Sequence, residues 1–250
     1  MTAVTLPGLD GVAYAHLLLV GWICLTIMGA ITQFVPVWSG IAIHSRRLAV
    51  AQLWLVTGGV IAFVLVLLAG RFEYLPLAAL PLVIGIWTFV YNVGRTMARA
   101  RPLDVTEGHF AAALTAFAFL ALLGYALAVD FTAPVFDAVS VTSGSAVTRG
   151  SVYMAHVTLA LFGAILLSVV GALYQLAKMF TGSSLSNLDR GLIRFESATL
   201  PPGVFLLALG RGSSRRPSRW SAASPSSSGW TRSSSSSRDC SIGRPSIEAR

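Results

Sequence analysis

Five apolar stretches, each long enough to cross a lipid bilayer, constrain this chain more than any other feature. They lie at about 13–36, 48–70, 74–95, 108–130 and 152–178, and a sixth, at 199–210, breaks off at Gly210. A span needs about 20 mainly apolar residues. In hydrocarbon the backbone must satisfy its own hydrogen bonds, so each stretch is expected to be a helix. The expected fold class is all-α: a polytopic transmembrane helix bundle of five spans plus a truncated sixth. Charged residues make up 11% of the chain. Soluble domains carry about 25%, so this surface is built for lipid.

The formal charge of +8 does not point to a nucleic-acid partner, because of where it sits. Residues 1–210 carry ten Lys and Arg against eight Asp and Glu, whereas 211–250 carry eight Arg against two acids. The two parts read as a transmembrane domain, 1–210, and a Ser/Arg-rich tail, 211–250. Cys24 and Cys240 fall one in each part and support neither a disulfide nor a metal-binding pair.

Lys and Arg in short loops set orientation. The loops after spans one, three and five hold Arg46, Arg47, Arg95, Arg99, Arg101, Lys178, Arg190 and Arg194; the opposite side holds Arg71 and Arg149. The N-terminus is therefore expected outside, in a multi-pass protein of the cell membrane. The N-terminal segment lacks a basic region and the first apolar run is too long for a signal peptide, so that run is expected to remain as a membrane helix.

Spans one and five resemble each other. At an offset of 142, Gly21 pairs with Gly163, Gly29 with Gly171, Ala30 with Ala172 and Gln33 with Gln175, beside several Leu and Ile matches. Shared small residues suggest a packed helix face, and related helices suggest duplication.

The ionisable groups inside the spans, apart from Tyr and Cys, are His16, His109 and His156, with no acidic residue among them. His16 and His156 lie near the starts of spans one and five and so at similar depth. Imidazole is a standard axial ligand of haem iron, and the two could clamp one haem or serve two adjacent sites. In the repeat register, however, His16 falls opposite Thr158 and His156 opposite Tyr14. That two-residue displacement is roughly 200° around an α-helix and argues against a simple clamp. His109, in Glu107-Gly108-His109, reads as a solvated helix-start residue. His44, in Ile43-His44-Ser45-Arg46-Arg47, reads as a solvated residue of a basic loop.

These helices carry a family resemblance. Span one reads Ala-Tyr-Ala-His-Leu-Leu-Leu-Val-Gly-Trp-Ile at 13–23, then Gly29-Ala30 and Phe34-Val35-Pro36. Span five reads Tyr-Met-Ala-His-Val-Thr-Leu-Ala-Leu-Phe-Gly at 153–163, then Gly171-Ala172-Leu173-Tyr174. Both resemble the haem-ligating helix of the haem–copper oxidase subunit I superfamily, particularly its cbb3-type and nitric-oxide-reductase-like branches. That helix carries His-x-His, Gly-Trp, Gly-Ala-Leu-Tyr and a Pro exit. The resemblance covers about two helices, and it implies haem bound by His16 and His156. By spacing to the glycine, His156 matches the family's high-spin ligand and His16 its low-spin ligand.

The departures are specific. Neither helix has a complete His-x-His, and the chain has four histidines, too few for the family's copper centre as well as its haems. Copper and a complete oxygen-reducing centre are therefore not expected from this chain alone, and whether it is an enzyme stays open. The resemblance implies electron transfer or small-gas handling. The alternative is a non-haem transporter-like or assembly protein with structural histidines, and the scarcity of polar groups in the spans argues against ion-coupled transport. The expected partners are the lipid bilayer and, as protein candidates, other membrane subunits or a second copy.

Fifteen of the last forty residues are Ser. This composition cannot bury a core and predicts disorder. The abrupt change within span six is what a GC-rich gene yields when read in the wrong frame. The tail is accordingly expected to be a frameshift product of a protein that continues as further apolar helices.

Overall fold

A computed structural model describes residues 9–99, 104–136, 147–181 and 187–213. Almost all of the Ser/Arg-rich tail lies outside these residues. The described chain forms six long helices. Helix α1 runs continuously through Leu9–Leu18, a π-helical segment Leu19–Cys24, and Leu25–Ser39. Helix α2 is Arg46–Leu68, and α3 is Leu75–Met97, entered through a 3₁₀ turn at Phe72–Tyr74. Helix α4 is Val105–Val129. Helix α5 combines Arg149–Thr158, a π-helical segment Leu159–Leu166, and Leu167–Thr181. Helix α6 is Asn187–Gly212. All six are long and apolar enough to cross a membrane, and no strand occurs among the described residues. The chain is an all-α, multi-pass membrane protein.

Local chemistry sets the helix ends. Gly40 and Gly70, with φ of 67° and 64°, follow α1 and α2 in the left-handed conformation that glycine adopts without a Cβ clash. Ser45 caps α2 by accepting from the Leu48 N–H. Reciprocal capping boxes open α4 (Asp104 with Glu107) and α5 (Thr148 with Ser151).

The five expected spans agree with α1–α5 to within a few residues. The sixth differs, because α6 begins at Asn187, well before the apolar stretch at 199–210. Its first turns carry Asp189, Arg190, Arg194 and Glu196, which mask the helix in a hydropathy reading. Glu196 consequently lies within a candidate span, Leu188–Gly212, and corrects the expectation that no acidic residue does.

Helices α2 and α3 cross at glycines. A Cβ on Gly59 would lie 2.8 Å from the Leu82 backbone nitrogen, and one on Gly85 would lie 2.7 Å from Val56. Small residues here replace the hydrophobic drive that helix pairs lack in lipid. Helix α4 packs between α3 and α5, with Phe89 edge-on to Phe117 at 5.5 Å, and α6 packs on α5 and α4. The α1–α2 loop is tied to α3: buried Asn92 accepts from the Ser45 N–H and donates to the Ser45 carbonyl, both at 2.9 Å, while Thr96 accepts from the His44 N–H.

The glycines shared by spans one and five do not form one packed face. Gly163 and Gly171 press against Ala116 and His109 of α4, whereas Gly21 meets Val60 of α2 and Gly29 meets nothing within 4 Å. In the offset-142 register, the π-helical Leu19–Cys24 falls on 161–166, inside the π-helical Leu159–Leu166.

Candidate functional site

His16 projects from the first half of α1, and its Nδ1 lies 2.8 Å from the Val12 carbonyl oxygen one turn back. His156 projects from the first half of α5. Its Nδ1 lies 2.9 Å from the carbonyl oxygen of Leu120 on α4. That carbonyl is reachable because the residue one turn on is Gly124. A Cβ there would sit 2.8 Å from His156 Cε1 and 3.3 Å from Nδ1. Carbonyl oxygens only accept, so the Nδ1 atom of each ring carries the proton and Nε2 carries a lone pair. Among the described residues no hydrogen bond engages either Nε2.

The rings face each other. Their centres are 6.4 Å apart and their planes differ by 15°, with Phe63 of α2 packed 4.7 Å from His16. The 200° displacement expected from the repeat does not keep them apart. The two helices turn their glycines to different neighbours, so the repeat register does not fix how they face each other.

A cavity of ≈ 280 Å³ lies beside the pair, walled by apolar groups of α1 to α5 such as Leu82, Ile86 and Leu161. A second, of ≈ 340 Å³, shares both histidines and Phe63 and is also lined by Leu75, Phe131 and Arg149. Arg149 is the one charged residue lining either cavity among those described. Its guanidinium is 2.6 Å from Asp130 and 4.1 Å from the centre of the Phe131 ring.

Two neutral imidazoles are donors of the kind that haem iron accepts. Among the described residues no group of three or more His, Cys, Asp or Glu is placed to hold a metal ion; haem iron asks only two of the protein. The chain matches no family, curated protein or solved structure in the comparisons made. The site therefore rests on its own geometry.

His109 is not solvated. It is 1% exposed, its Nδ1 lies 2.8 Å from the Val105 carbonyl, and its Nε2 lies 3.2 Å from Glu196 Oε1. The partner is 87 residues away, which hides the burial from a local reading. Tyr174 of α5 and Ser197 donate to Glu196 Oε2 at 2.8 and 3.3 Å. His44 is half-buried, with Arg99 donating to its Nδ1 at 3.0 Å and the ring edge-on to Tyr91.

At the same end of α4, Lys178 donates to Asp104 at 2.8 Å. Partial burial pushes the Asp104 carboxyl up, but the bonds from Lys178 and the Glu107 N–H outweigh it and hold the group below its ordinary value.

Sequence inspection singles out both histidines of the pair. It misses Gly124, the Leu120 carbonyl and Phe63, because nothing in an apolar run marks which residue will face an imidazole. It also misses Glu196 and Tyr174.

Proposed function

We propose that this chain is a membrane-embedded haem protein that carries single electrons, with His16 and His156 as the two axial ligands of one haem. The observation that carries the reading is the facing pair: two near-parallel rings with centres 6.4 Å apart, each anchored through Nδ1, each Nε2 without a partner among the described residues, beside two largely apolar cavities. Haem held there supplies reversible one-electron chemistry.

The chain's own residues account for the rest. The Val12 and Leu120 carbonyls fix the tautomer and orientation of each imidazole and raise its basicity, as anchoring partners of metal-binding histidines do. Gly124 leaves the room that His156 occupies. The apolar walls exclude water and lower the local dielectric. With both histidines on one iron, no ligand position would be left for a gas, which would favour electron transfer over gas binding. The pairing also departs from the oxidase pattern, in which the two histidine positions serve different haems. The resemblance to that superfamily supports haem, and the shortage of histidines argues against copper. The eight-to-two bias of Lys and Arg supports an N-terminus outside the cell membrane, which would put the pair in the outer half of the bilayer. An electron carrier needs a donor and an acceptor, and membrane subunits beside this one fill those places.

The test is an absorption spectrum of the detergent-purified chain expressed with ample haem supply. A Soret band of a six-coordinate low-spin haem is expected, lost or converted to a high-spin form in His16→Ala and in His156→Ala. A colourless protein would sink the proposal.

A further inference from the structure

His109 stands between two acceptors at the end of the bundle opposite the histidine pair. Its Nδ1 faces the Val105 carbonyl and its Nε2 faces a carboxylate oxygen of Glu196. A carbonyl cannot donate, so Nδ1 carries a hydrogen. The contact between Nε2 and Oε1 then needs a proton of its own, because a neutral imidazole would set its lone pair against a carboxylate lone pair. The proton belongs either to an imidazolium or to a carboxylic acid. In both arrangements the pair is electrically neutral, the form that burial favours over an unpaired charge.

We infer that His109 and Glu196 form a proton-binding site within the membrane domain, holding one proton between Nε2 and Oε1. It is separate from the proposed haem site and does not depend on it. Intramembrane His and Glu groups in contact are the usual material of proton relays. The surroundings suit such a site. From α5, Tyr174 donates to the other carboxylate oxygen and Lys178, one turn on, pairs with Asp104. From α6 come Glu196 and Ser197. From α4 itself come Asp104, Glu107 and Thr106, and α1 contributes Trp38, stacked on the adjacent Phe110.

One feature gives the proton a way in. The Glu196 side chain is 29% exposed although its partner is 1% exposed. On release the proton leaves Nε2 or Oε1 for solvent, and on return it refills the same contact; no other bond changes.

The test uses the full chain in lipid nanodiscs, with ¹⁵N-histidine for nuclear magnetic resonance and ¹³C-glutamate for infrared spectroscopy. Near neutral pH one of two signals is expected: an imidazolium at His109, or the carbonyl stretch of a protonated Glu196. That signal is lost in Glu196→Gln and retained in Gly94→Ala, where an added Cβ meets nothing within 4 Å. The inference is overturned if His109 is a neutral imidazole and Glu196 an ionised carboxylate near neutral pH in the wild-type chain, a reading that needs no variant to fold.

Discussion

Gly124→Ala is the most direct probe of the histidine pair, because it changes neither ligand. The added methyl would meet His156 Cε1 at 2.8 Å, closer than carbon atoms approach, so the ring must move. Moving it breaks the 2.9 Å bond to Leu120, worth about 1 kcal/mol. Overpacking adds about 1–3 kcal/mol, and alanine's better helix propensity returns about 1 kcal/mol. The haem-free protein should therefore lose about 1–3 kcal/mol. Haem affinity should fall further, by about 10–100-fold, the range seen when a metal-binding histidine loses its anchoring partner. The assay is a haem titration of the haem-free protein, followed at the Soret band, with unfolding measured in the same detergent. Gly94→Ala is the control: a Cβ there meets nothing within 4 Å, so it should keep wild-type affinity and gain about 1 kcal/mol. Wild-type affinity and spectrum in Gly124→Ala would refute the reasoning that Gly124 positions His156.

Other outcomes follow from the packing. Asn92→Ala removes two hydrogen bonds that hold the Ser45 backbone and should lower unfolding stability in detergent by about 2–3 kcal/mol. Gly163→Ala puts a methyl 2.5 Å from Ala116 Cβ and should destabilise by about 1–3 kcal/mol, whereas Gly29→Ala, in open space, should be neutral or stabilising. Asp104→Asn keeps a capping side chain but removes the charge that pairs with Lys178. The Asp104 value is lower folded than its ordinary 3.8, so its contribution is present above about that pH and lost as pH falls through the folded value. The melting-temperature gap between wild type and Asp104→Asn should be open at neutral pH and close under acid.

Five of the six helices are legible in sequence because bilayer thickness imposes a length that any apolar run of that size declares. Helix α6 is only half legible, since Asp189, Arg190, Arg194 and Glu196 break its hydropathy while leaving its backbone helical. The depth of His16 and His156 is readable from their place near the starts of parallel spans. Their mutual orientation is not, because azimuth depends on which neighbour each glycine meets. His109 shows the limit most sharply. Its local context reads as a solvated helix start, and only the return of the chain at Glu196 turns it into a buried, bonded group.

Helix α6 touches both polar regions of the bundle. Its last turn meets α5 beside His156, where Arg211 donates to Thr158 at 3.4 Å and Gly212 lies against Ala155. Fifteen residues earlier, about 22 Å along the axis, Glu196 holds His109. Pro201 and Pro202 lie between, and without their N–H groups the carbonyls of Ser197 and Ala198 lack their usual helical donors. One helix thus lines both polar regions, and its own hydrogen bonding is interrupted at a single point between them.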